Sequence, residues 1–340
     1  MPNCGSQITL CNLPIRFDTY IGCSHGCKYC FVQKKTSIKT IKKGESPQVL
    51  KNFIDGKRTQ ETNWCDWNIP LHWGGMSDPF QPIEKIHRYS YECLKLFAES
   101  QYPFVVSTKG RLVGDDEYAD LLAACNAVVQ ISMVCSKYDK LEPGAPSYEE
   151  RLRIIEKLNQ KKGIKRTIAR VQPYMTEVFD DVMENIPRLA NAGVYGIVFE
   201  GMKFFKKKKG MVQVGGDQVY PMAILKAQFT ELKEQCHKYG VKFYAGENRL
   251  RAMGDGMCCC GIDGLPGFIP NEYNICMMLN GEKREPTERM KQLGTAHCFK
   301  SLAQDVASTP IFSTVSFAGY MQKELKNKPD YYKKIFGLHE

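Results

Sequence analysis

The sequence predicts an α/β fold in which short parallel strands alternate with helices to form a partial TIM-like barrel. Three observations carry this prediction. Short β-rich runs alternate with amphipathic segments, which is the pattern of βαβ units. No Gly-x-Gly-x-x-Gly follows the first strand candidate, which argues against a doubly wound nucleotide-binding sheet. Each strand candidate ends in polar or small residues, as a site at a barrel mouth requires.

The strand and helix candidates follow in chain order. Strands are predicted at 17–22, 68–74, 103–108, 127–133, 165–172, 195–200 and 241–246. One helix is predicted at 84–99, where Ile86, Tyr89, Cys93, Leu94 and Phe97 fall on one face. A second begins at Ser147, which offers an N-cap ahead of an acidic first turn. Two more helices are predicted at 178–192 and 222–239.

Composition places the chain among globular proteins of a reducing compartment. Of its 340 residues, 43% are hydrophobic and 25% are charged, and no apolar run approaches the roughly 20 residues of a membrane span. The amino terminus lacks the basic-then-apolar order of a signal peptide. Fifteen cysteines in such a chain favour metal chemistry over a disulfide framework. We therefore expect a cytoplasmic protein with no membrane partner.

The chain is basic, with a net charge of +10 and a lysine run at 206–209. Its carboxyl end is basic too, with Lys323, Lys326, Lys328, Lys333 and Lys334. A positive field favours nucleic acid, an anionic substrate or an acidic electron donor as a partner. No aromatic or arginine residues interleave with these lysines to form a stacking platform. A solvated loop and a surface helix are therefore the favoured interpretation, and nucleic acid is the less favoured partner.

Three cysteines lie close together in Cys23-Ser-His-Gly-Cys27-Lys-Tyr-Cys30, just after the first strand candidate. Their spacing allows three thiolates on one loop to converge on a single inorganic centre. A ferredoxin-type cluster uses four cysteines, so three leave one iron free for another ligand. A structural zinc site normally needs four protein ligands, and no partner pair of cysteines at zinc-site spacing is present.

This motif, with Tyr29 before its last cysteine, resembles the signature of the radical S-adenosylmethionine (radical SAM) superfamily. The resemblance implies a partial (βα)6-type barrel with a carboxyl-terminal closing segment. It also implies that Cys23, Cys27 and Cys30 hold a 4Fe-4S cluster whose fourth iron binds SAM. In this family, electron transfer into SAM releases a 5′-deoxyadenosyl radical, which is chemistry that no side chain supplies. An external donor such as ferredoxin or flavodoxin is implied.

Further strand ends supply candidate contacts to SAM. The resemblance implies a glycine turn after the second strand, and Gly74, Gly75 and Met76 stand there, followed by Asp78 as a counter-charge. Glycine permits close approach because it has no Cβ. The later strand ends supply Ser107, Lys109, Ser132 and Arg170. Each is alone consistent with a surface polar group, but together they form a ring of donors suited to an amino-acid ligand.

Some of these blocks resemble the spore photoproduct lyase branch. They are Thr108-Lys109, Glu142-Pro-Gly-Ala-Pro-Ser147 with Arg151, and Arg170-Val-Gln-Pro173. The resemblance covers about residues 15–200. In that branch a cysteine two residues before the Ser-Asp of the second strand donates a hydrogen atom during thymine-dimer repair. Gly75 stands at that position here, so the same reaction is not expected to run in the same way.

The carboxyl third departs further from that branch. We expect Glu247 and Asn248, with Glu200 and His72, to contact substrate at the barrel mouth. A carboxylate beside an amide can read the edge of a guanine-like base, although helix caps or structural hydrogen bonds explain the pair equally well. The run Cys258–Cys260 is expected to pack in the interior or to supply one redox-active thiol, because consecutive cysteines cannot all reach one metal without strain.

The sequence therefore predicts one compact domain, with a barrel core over 1–210 and a last barrel unit plus closing segment over 211–340. We expect a radical SAM lyase that cleaves a C–N or C–C bond in a small base-like substrate. Within the resembling group, the finer expectation is queuine lyase chemistry, the C–N cleavage of queuine to 7-aminomethyl-7-deazaguanine in queuine salvage. The alternatives are repair of a nucleobase lesion in DNA and a non-catalytic iron–sulfur or zinc binding module.

Overall fold

The computed structural model describes residues 2, 4, 8–32, 40–59, 61–281, 284–296 and 313–338. Its strands are β1 Arg16–Phe17, β2 Tyr20–Ile21, β3 Lys42–Lys43, β4 Leu71–Trp73, β5 Phe104–Thr108, β6 Ala127–Ser132, β7 Arg166–Tyr174, β8 Gly196–Gly201, β9 Lys203–Phe204, β10 Val212–Val214, β11 Asp217–Val219, β12 Lys242–Ala245, β13 Leu293–Ala296 and β14 Ser313–Ser316. Its helices are α1 Pro47–Ile54, α2 Glu84–His87, α3 Tyr89–Ser100, α4 Asp116–Ala124, α5 Tyr148–Gln160, α6 Phe179–Asn191, α7 Met222–Lys238, α8 Ile275–Leu279, α9 Glu288–Lys291, α10 Phe317–Asn327 and α11 Pro329–Ile335.

Seven strands form one parallel sheet in the order β1-β4-β5-β6-β7-β8-β12. Strands that follow one another around this sheet are also successive in the chain, with helices between most of them. A doubly wound sheet would instead reverse its strand order part-way. The α/β prediction is therefore confirmed, and every predicted strand contributes to this sheet.

Alternation along the strands gives the sheet two different faces. On the outer face, Val106, Val129 and Phe199 belong to the large core that includes Phe97 of α3 and Phe229 of α7. On the inner face a second apolar cluster is formed by Val105, Val128, Ile168, Val198 and Tyr244, one from each of five adjacent strands. The inner face therefore has an apolar lower layer, and the polar strand ends lie above it.

A segment after β12 runs beneath the amino-terminal ends of the strands. Arg166, which begins β7, donates to the carbonyls of Gly261 and Asp263, each at 2.8 Å. Farther along, the amide of Ile269 donates to Asn68, which lies just ahead of β4. The side chains of Cys258, Cys260, Ile262 and Phe268 join the inner apolar cluster. This segment therefore closes the barrel at the end opposite the cysteine loop.

The run Cys258–Cys260 contributes two buried thiols, those of Cys258 and Cys260, to that inner cluster. The sequence predicted either interior packing or a redox-active thiol for this run. The burial of Cys258 and Cys260 in this cluster shows interior packing.

The first predicted strand, 17–22, is interrupted in the structure. β1 belongs to the parallel sheet, whereas β2 turns away and pairs with β3 in an antiparallel ladder. The carboxylate of Asp18 causes the break, because Oδ1 accepts the amides of Met76 and Ser77, each at 3.1 Å. The backbone carbonyls of Asp18 and Thr19 accept the amides of Glu45 and Gly44 at 2.9 Å, so they do not continue the parallel sheet.

The predicted helix 84–99 is also divided, at Arg88, whose φ of 52° is left-handed. The buried carboxylate of Glu84 accepts the amides of Ser90 and Tyr91 at 2.9 and 2.8 Å, so it caps the start of α3. The helical face predicted for 84–99 holds only in part, since Ile86 is 74% exposed. The predicted cap at Ser147 is confirmed as a capping box with Glu150.

Two smaller sheets complete the described structure. Strands β9, β10 and β11 form an antiparallel sheet directly after β8, and the lysine run at 206–209 lies exposed in its first loop. Strands β13 and β14 pair in an antiparallel hairpin. Within the described residues, each helix is too short or too polar to cross a bilayer.

A pair of glycine variants tests whether the segment after β12 seals the barrel. Gly261 and Gly264 both have left-handed φ values, +72° and +64°, so alanine is strained at either position. At Gly261 a Cβ would also lie 2.6 Å from Cδ1 of Ile168, whereas nothing lies within 4 Å at Gly264. We expect Gly261→Ala to destabilise the protein by about 1–3 kcal/mol more than Gly264→Ala, measured by urea unfolding. Equal losses would show that the segment does not pack against β7.

Candidate active site

The cysteine loop lies between the loop that follows β4 and the loop that follows β6. Its backbone is fixed by hydrogen bonds from Lys28 N–H to the carbonyl of Leu141 at 2.8 Å and from Gly144 N–H to the carbonyl of His25 at 2.9 Å. Gly144 has to be glycine here, because a Cβ would lie 2.4 Å from the carbonyl oxygen of Ser24. The three cysteines are therefore held at the carboxyl end of the parallel sheet, as the sequence predicted.

Gln81 secures the beginning of the same loop. Its Oε1 accepts the amide of Ser24 at 3.0 Å, and its Nε2 donates to the carbonyl of Gly22 at 3.1 Å. The side chain is fully buried, so both of its polar ends are used on the loop. Sequence reasoning did not single out this residue, because a glutamine outside any motif carries no sequence signal.

Asp78 is the buried acceptor that joins the cysteine loop to the sheet. Its carboxylate accepts His25 Nε2 at 3.0 Å, Thr108 Oγ1 at 2.6 Å, the amide of Lys109 at 2.6 Å and the amide of Phe80 at 2.9 Å. Burial alone would raise the pKa of Asp78, but the charge and hydrogen bond of His25 outweigh it and lower the pKa to about 2. Asp78 is therefore a charged anchor, and its predicted contact with SAM stays a prediction.

His25 completes this connection within the loop itself. Its Nδ1 lies 2.9 Å from the carbonyl oxygen of Gly144, and its Nε2 faces Asp78. Burial would lower the pKa of His25, but the neighbouring carboxylate of Asp78 raises it overall. The imidazole therefore joins both flanking loops through one side chain.

A second buried carboxylate, Glu142, holds the other half of the loop. Its Oε2 is paired with Arg151 Nη2 at 2.5 Å, and its Oε1 accepts the hydroxyl of Tyr29 and lies 3.7 Å from Lys109 Nζ. Arg151 is completely buried and donates its other nitrogen to the carbonyl of Ser132 at 2.7 Å. The predicted SAM contacts Tyr29 and Lys109 are thus tied to one anchor that sequence analysis quoted only as part of a motif.

The three thiols of the loop carry no disulfide, and Cys27 is buried while Cys23 and Cys30 are partly exposed. Burial raises the pKa of Cys23 to about 12 and also raises that of Cys27, where Lys109 acts in the opposite direction. Among the described residues, no group of three or more His, Cys, Asp or Glu side chains is placed to hold a metal ion. Cysteines that ligate a cubane bind different irons, so the donor set fits a cluster without meeting at one point.

The predicted glycine turn follows β4. Gly74 has a φ of +85°, and a Cβ there would lie 2.4 Å from the carbonyl oxygen of Ser107, so only glycine fits. A Cβ at Gly75 would meet nothing closer than Arg16 Cδ at 3.6 Å, so this position is open. Met76 offers its sulfur to Arg16 Nη1 at 3.4 Å.

Polar side chains cover the inner face above its apolar layer. His72 Nε2 lies 3.0 Å from Ser107 Oγ, which donates to Gln130 Oε1 at 2.8 Å and accepts from Arg170 Nη1 at 2.8 Å. Burial, followed by the charges of Arg170 and Arg16, lowers the pKa of His72 well below its ordinary value. The imidazole is therefore neutral, and the structure brings the predicted residues His72, Ser107 and Arg170 into one network.

The predicted substrate contacts on the far side of the mouth already have protein partners. Glu200 Oε1 is paired with Lys203 at 2.8 Å, and Glu247 Oε1 with Arg249 Nε at 2.9 Å. Asn248 Oδ1 accepts from Arg251 Nη2 at 2.7 Å. These contacts are the structural hydrogen bonds that the sequence left open as an alternative, and a role in substrate binding stays a prediction.

Solved structures share this arrangement of strands. Spore photoproduct lyase complexed with dinucleoside spore photoproduct has a TM-score of 0.56 and 16% sequence identity, over 68% of this chain and 76% of that chain. A mutant of the same enzyme with bound AdoMet and dinucleoside spore photoproduct has a TM-score of 0.55, with the same identity and coverage. The chain has the fold of spore photoproduct lyase.

The curated relatives share too little sequence with this chain to establish a common family. An uncharacterized protein of Mycobacterium tuberculosis is 24% identical over 213 residues, which cover 58% of this chain and 62% of that protein. An uncharacterized protein of Methanocaldococcus jannaschii is 25% identical over 175 residues, 47% of this chain and 60% of that protein. The chain therefore spans less than two thirds of these relatives. No protein-family model matches it.

The buried anchor Asp78 generates a prediction for folding. Removing one partner of a buried pair leaves the other uncompensated, so we expect Asp78→Ala to lower the free energy of unfolding by about 3–5 kcal/mol. Asp55→Ala is the matched control, since Asp55 pairs with Lys51 on the surface, and there a loss of about 0–1 kcal/mol is expected. Urea unfolding of both variants measures the difference. A similar small loss for both would contradict the anchoring role.

Proposed function

We propose that this protein is a radical SAM enzyme in which Cys23, Cys27 and Cys30 hold a 4Fe-4S cluster that binds SAM. The observation that carries the proposal is the placement of this three-thiol loop at the carboxyl end of a sheet with the fold of spore photoproduct lyase. That end is where barrels of this kind place their chemistry. When bound, the cluster and SAM supply a 5′-deoxyadenosyl radical that abstracts a hydrogen atom from substrate.

The chain's own residues position these groups. His25 and Asp78 fix one half of the cysteine loop, and Tyr29 and Glu142 fix the other. Gly74 lets the turn after β4 pack against the carbonyl of Ser107, and Gly75 leaves open space there. Ser107 and Arg170 lie on the adjoining inner face, where Arg170 offers N–H donors. Lys109 and Ser132 complete the proposed contacts with SAM. These side chains would orient SAM and keep water from its reacting end.

The surface beside the cysteine loop suits an acidic electron donor. Lys28 lies in the loop itself, and Lys42 and Lys43 form β3, which pairs with β2 directly ahead of it. All three side chains are exposed. A reduced ferredoxin or flavodoxin is the class of partner that this charge favours.

Anaerobic reconstitution tests the proposal directly. We expect the reconstituted protein to bind about four irons and four sulfides per chain. With a low-potential reductant it should convert SAM to methionine and 5′-deoxyadenosine. Replacing all three loop cysteines by alanine should abolish iron binding, whereas Cys93→Ala is a control, since Cys93 is buried in the outer core. Iron binding without SAM cleavage would instead support the alternative of a non-catalytic iron–sulfur or zinc module.

For the substrate, we propose a ligand with a nucleobase-like ring, and two reactions are candidates. Repair of a nucleobase lesion is favoured by the fold, since the similar structures contain dinucleoside spore photoproduct. Cleavage of queuine is favoured by Gly75, which leaves the turn after β4 without a thiol. In either case bond scission would follow hydrogen abstraction, so the proposed class is a radical SAM lyase.

Two assays separate these candidates. If queuine is the substrate, reduced enzyme with SAM should release 7-aminomethyl-7-deazaguanine, detected by mass spectrometry, and absence of this product removes the candidate. If DNA is the substrate, the affinity for a duplex should fall steeply as salt rises, because several phosphate contacts release counterions. Affinity that does not change with salt argues against DNA.

A further inference from the structure

We propose that the substrate carries an anionic group, a phosphate ester or a carboxylate, which Arg16 binds on the inner face of the barrel, beside Arg170. The inference rests on the proposed function, because it names a property of the substrate for that site. Queuine carries neither of these groups, so an anion site favours the nucleobase-lesion candidate. It concerns a residue, Arg16, that neither the cysteine motif nor the resemblance singles out.

Both arginines lie on the inner face, at the upper ends of their strands. Arg16 pairs in register with His72, and its neighbour Phe17 belongs to the outer core, so Arg16 projects to the opposite side. Arg170 lies two residues above Ile168, which belongs to the inner apolar cluster. Arg170 donates to Ser107, which contacts His72, the register partner of Arg16, so the two arginines share one neighbourhood. Burial lowers the pKa of Arg16, and the charge of Arg170 acts in the same direction.

Neither guanidinium is paired with a carboxylate within the described part of the chain. Arg16 donates to the weak acceptor Met76 Sδ at 3.4 Å. Arg170 donates to two neutral groups, Ser107 Oγ at 2.8 Å and the side-chain oxygen of Gln172. By contrast, Arg151 and Arg249 both form close ion pairs. The two inner arginines therefore have donors that lack a charged acceptor.

The carboxylates near this face are already used. Glu200 is paired with Lys203, and Glu247 with Arg249. Asp18 attracts Arg16, but its Oδ1 accepts two backbone amides, and burial raises its pKa to about 7, so its charge is weakened. The histidine between the arginines, His72, is neutral. The inner face therefore carries an excess of positive charge.

A third guanidinium increases this excess. Arg251 is only 7% exposed, and its Nε has no hydrogen-bond partner. Burial raises the pKa of the Cys11 thiol, and the charges of Arg251 and Arg16 both oppose that effect, so both guanidinium groups lie near Cys11. A buried donor without an acceptor is costly, and a bound anion removes the cost. Unpaired cations in the barrel interior thus point to a negatively charged ligand.

The carboxylate of SAM accounts for only one of these cations. Arg170 is the predicted partner of that carboxylate, and Lys109 already lies near Glu142. Arg16, which lies beneath the open position at Gly75, is left for a second anion. Because guanidinium forks match phosphate and carboxylate oxygens, a substrate bearing either group would be oriented by two charge-assisted hydrogen bonds.

The test uses the full chain without a cluster, so it does not depend on radical chemistry. Thermal unfolding is followed while inorganic phosphate or acetate is titrated at constant ionic strength. We expect phosphate or acetate to raise the melting temperature in a saturable way, and Arg16→Gln to weaken that anion about tenfold or more. The stronger of the two anions identifies the group as a phosphate ester or a carboxylate. Arg153→Gln is the matched control, because it removes the same charge from an exposed position.

Further variants decide the outcome. Arg16→Lys keeps the charge, so it should recover part of the anion response, whereas behaviour identical to Arg16→Gln would overturn the proposal. Equal responses of Arg16→Gln and Arg153→Gln would also overturn it. Equilibrium dialysis of the reconstituted protein should show SAM binding by Arg16→Gln within about twofold of wild type; a tenfold loss would assign Arg16 to SAM instead.

These results are distinguishable from those for the proposed function. An anion response that depends on Arg16 in a protein unable to cleave SAM would leave the anion site standing and remove the enzyme assignment. SAM cleavage without any anion response would support the enzyme assignment and remove the anion site.

Discussion

The architecture of this site depends on one buried carboxylate, that of Asp78. It accepts hydrogen bonds from the cysteine loop through His25 and from the end of β5 through Thr108 and Lys109. A charged group that is withdrawn from water is stable only when its acceptor sites are filled, so this one fixes all of its donors at once. The cysteine loop contains little regular secondary structure, and its conformation is fixed by Asp78 and by Glu142.

The two anchors have a common logic. Each is a carboxylate at the carboxyl end of the sheet. Each lies beside a basic side chain, and each forms a hydrogen bond with a residue of the cysteine loop. The carboxylates on the loop side are therefore neutralised, whereas the arginines of the inner face are not. This asymmetry places the fixed parts of the site beside the thiols and the unpaired positive charge in the interior.

The opposite end of the barrel has a different role. There the segment that follows β12 inserts Cys258, Cys260 and Phe268 against the lower apolar layer, and it contains three glycines with left-handed φ that permit tight turns. Chemistry and closure are thus separated along the strand direction. The number of hydrophobic residues in a strand cannot reveal this separation, because the two layers lie only two residues apart along each strand.

Much of the fold could be predicted because it rests on local periodicity. The strand candidates 103–108 and 127–133 match β5 and β6 closely, and the helix at 222–239 matches α7. The errors lie where long-range polar contacts override local preference. Asp18 interrupts the first strand to bind the loop after β4, and Glu84 divides a helix to cap its second half. A sequence pattern cannot foresee these, since Asp18 binds amides 58 and 59 residues away and Glu84 is held in place by Tyr20 and Tyr118, 64 and 34 residues away.

By itself the sequence determined that three thiols share one loop and that this loop follows the first strand of a parallel α/β fold, since both depend on spacing and order along the chain. Only the tertiary structure decided which groups surround those thiols. Tyr29 and Glu142 are 113 residues apart, and His25 and Asp78 are 53 apart. Likewise, the absence of an ion pair to Arg16 within the described residues is a property of three-dimensional neighbours. Charge balance depends on distance in space, and spacing in sequence does not encode it.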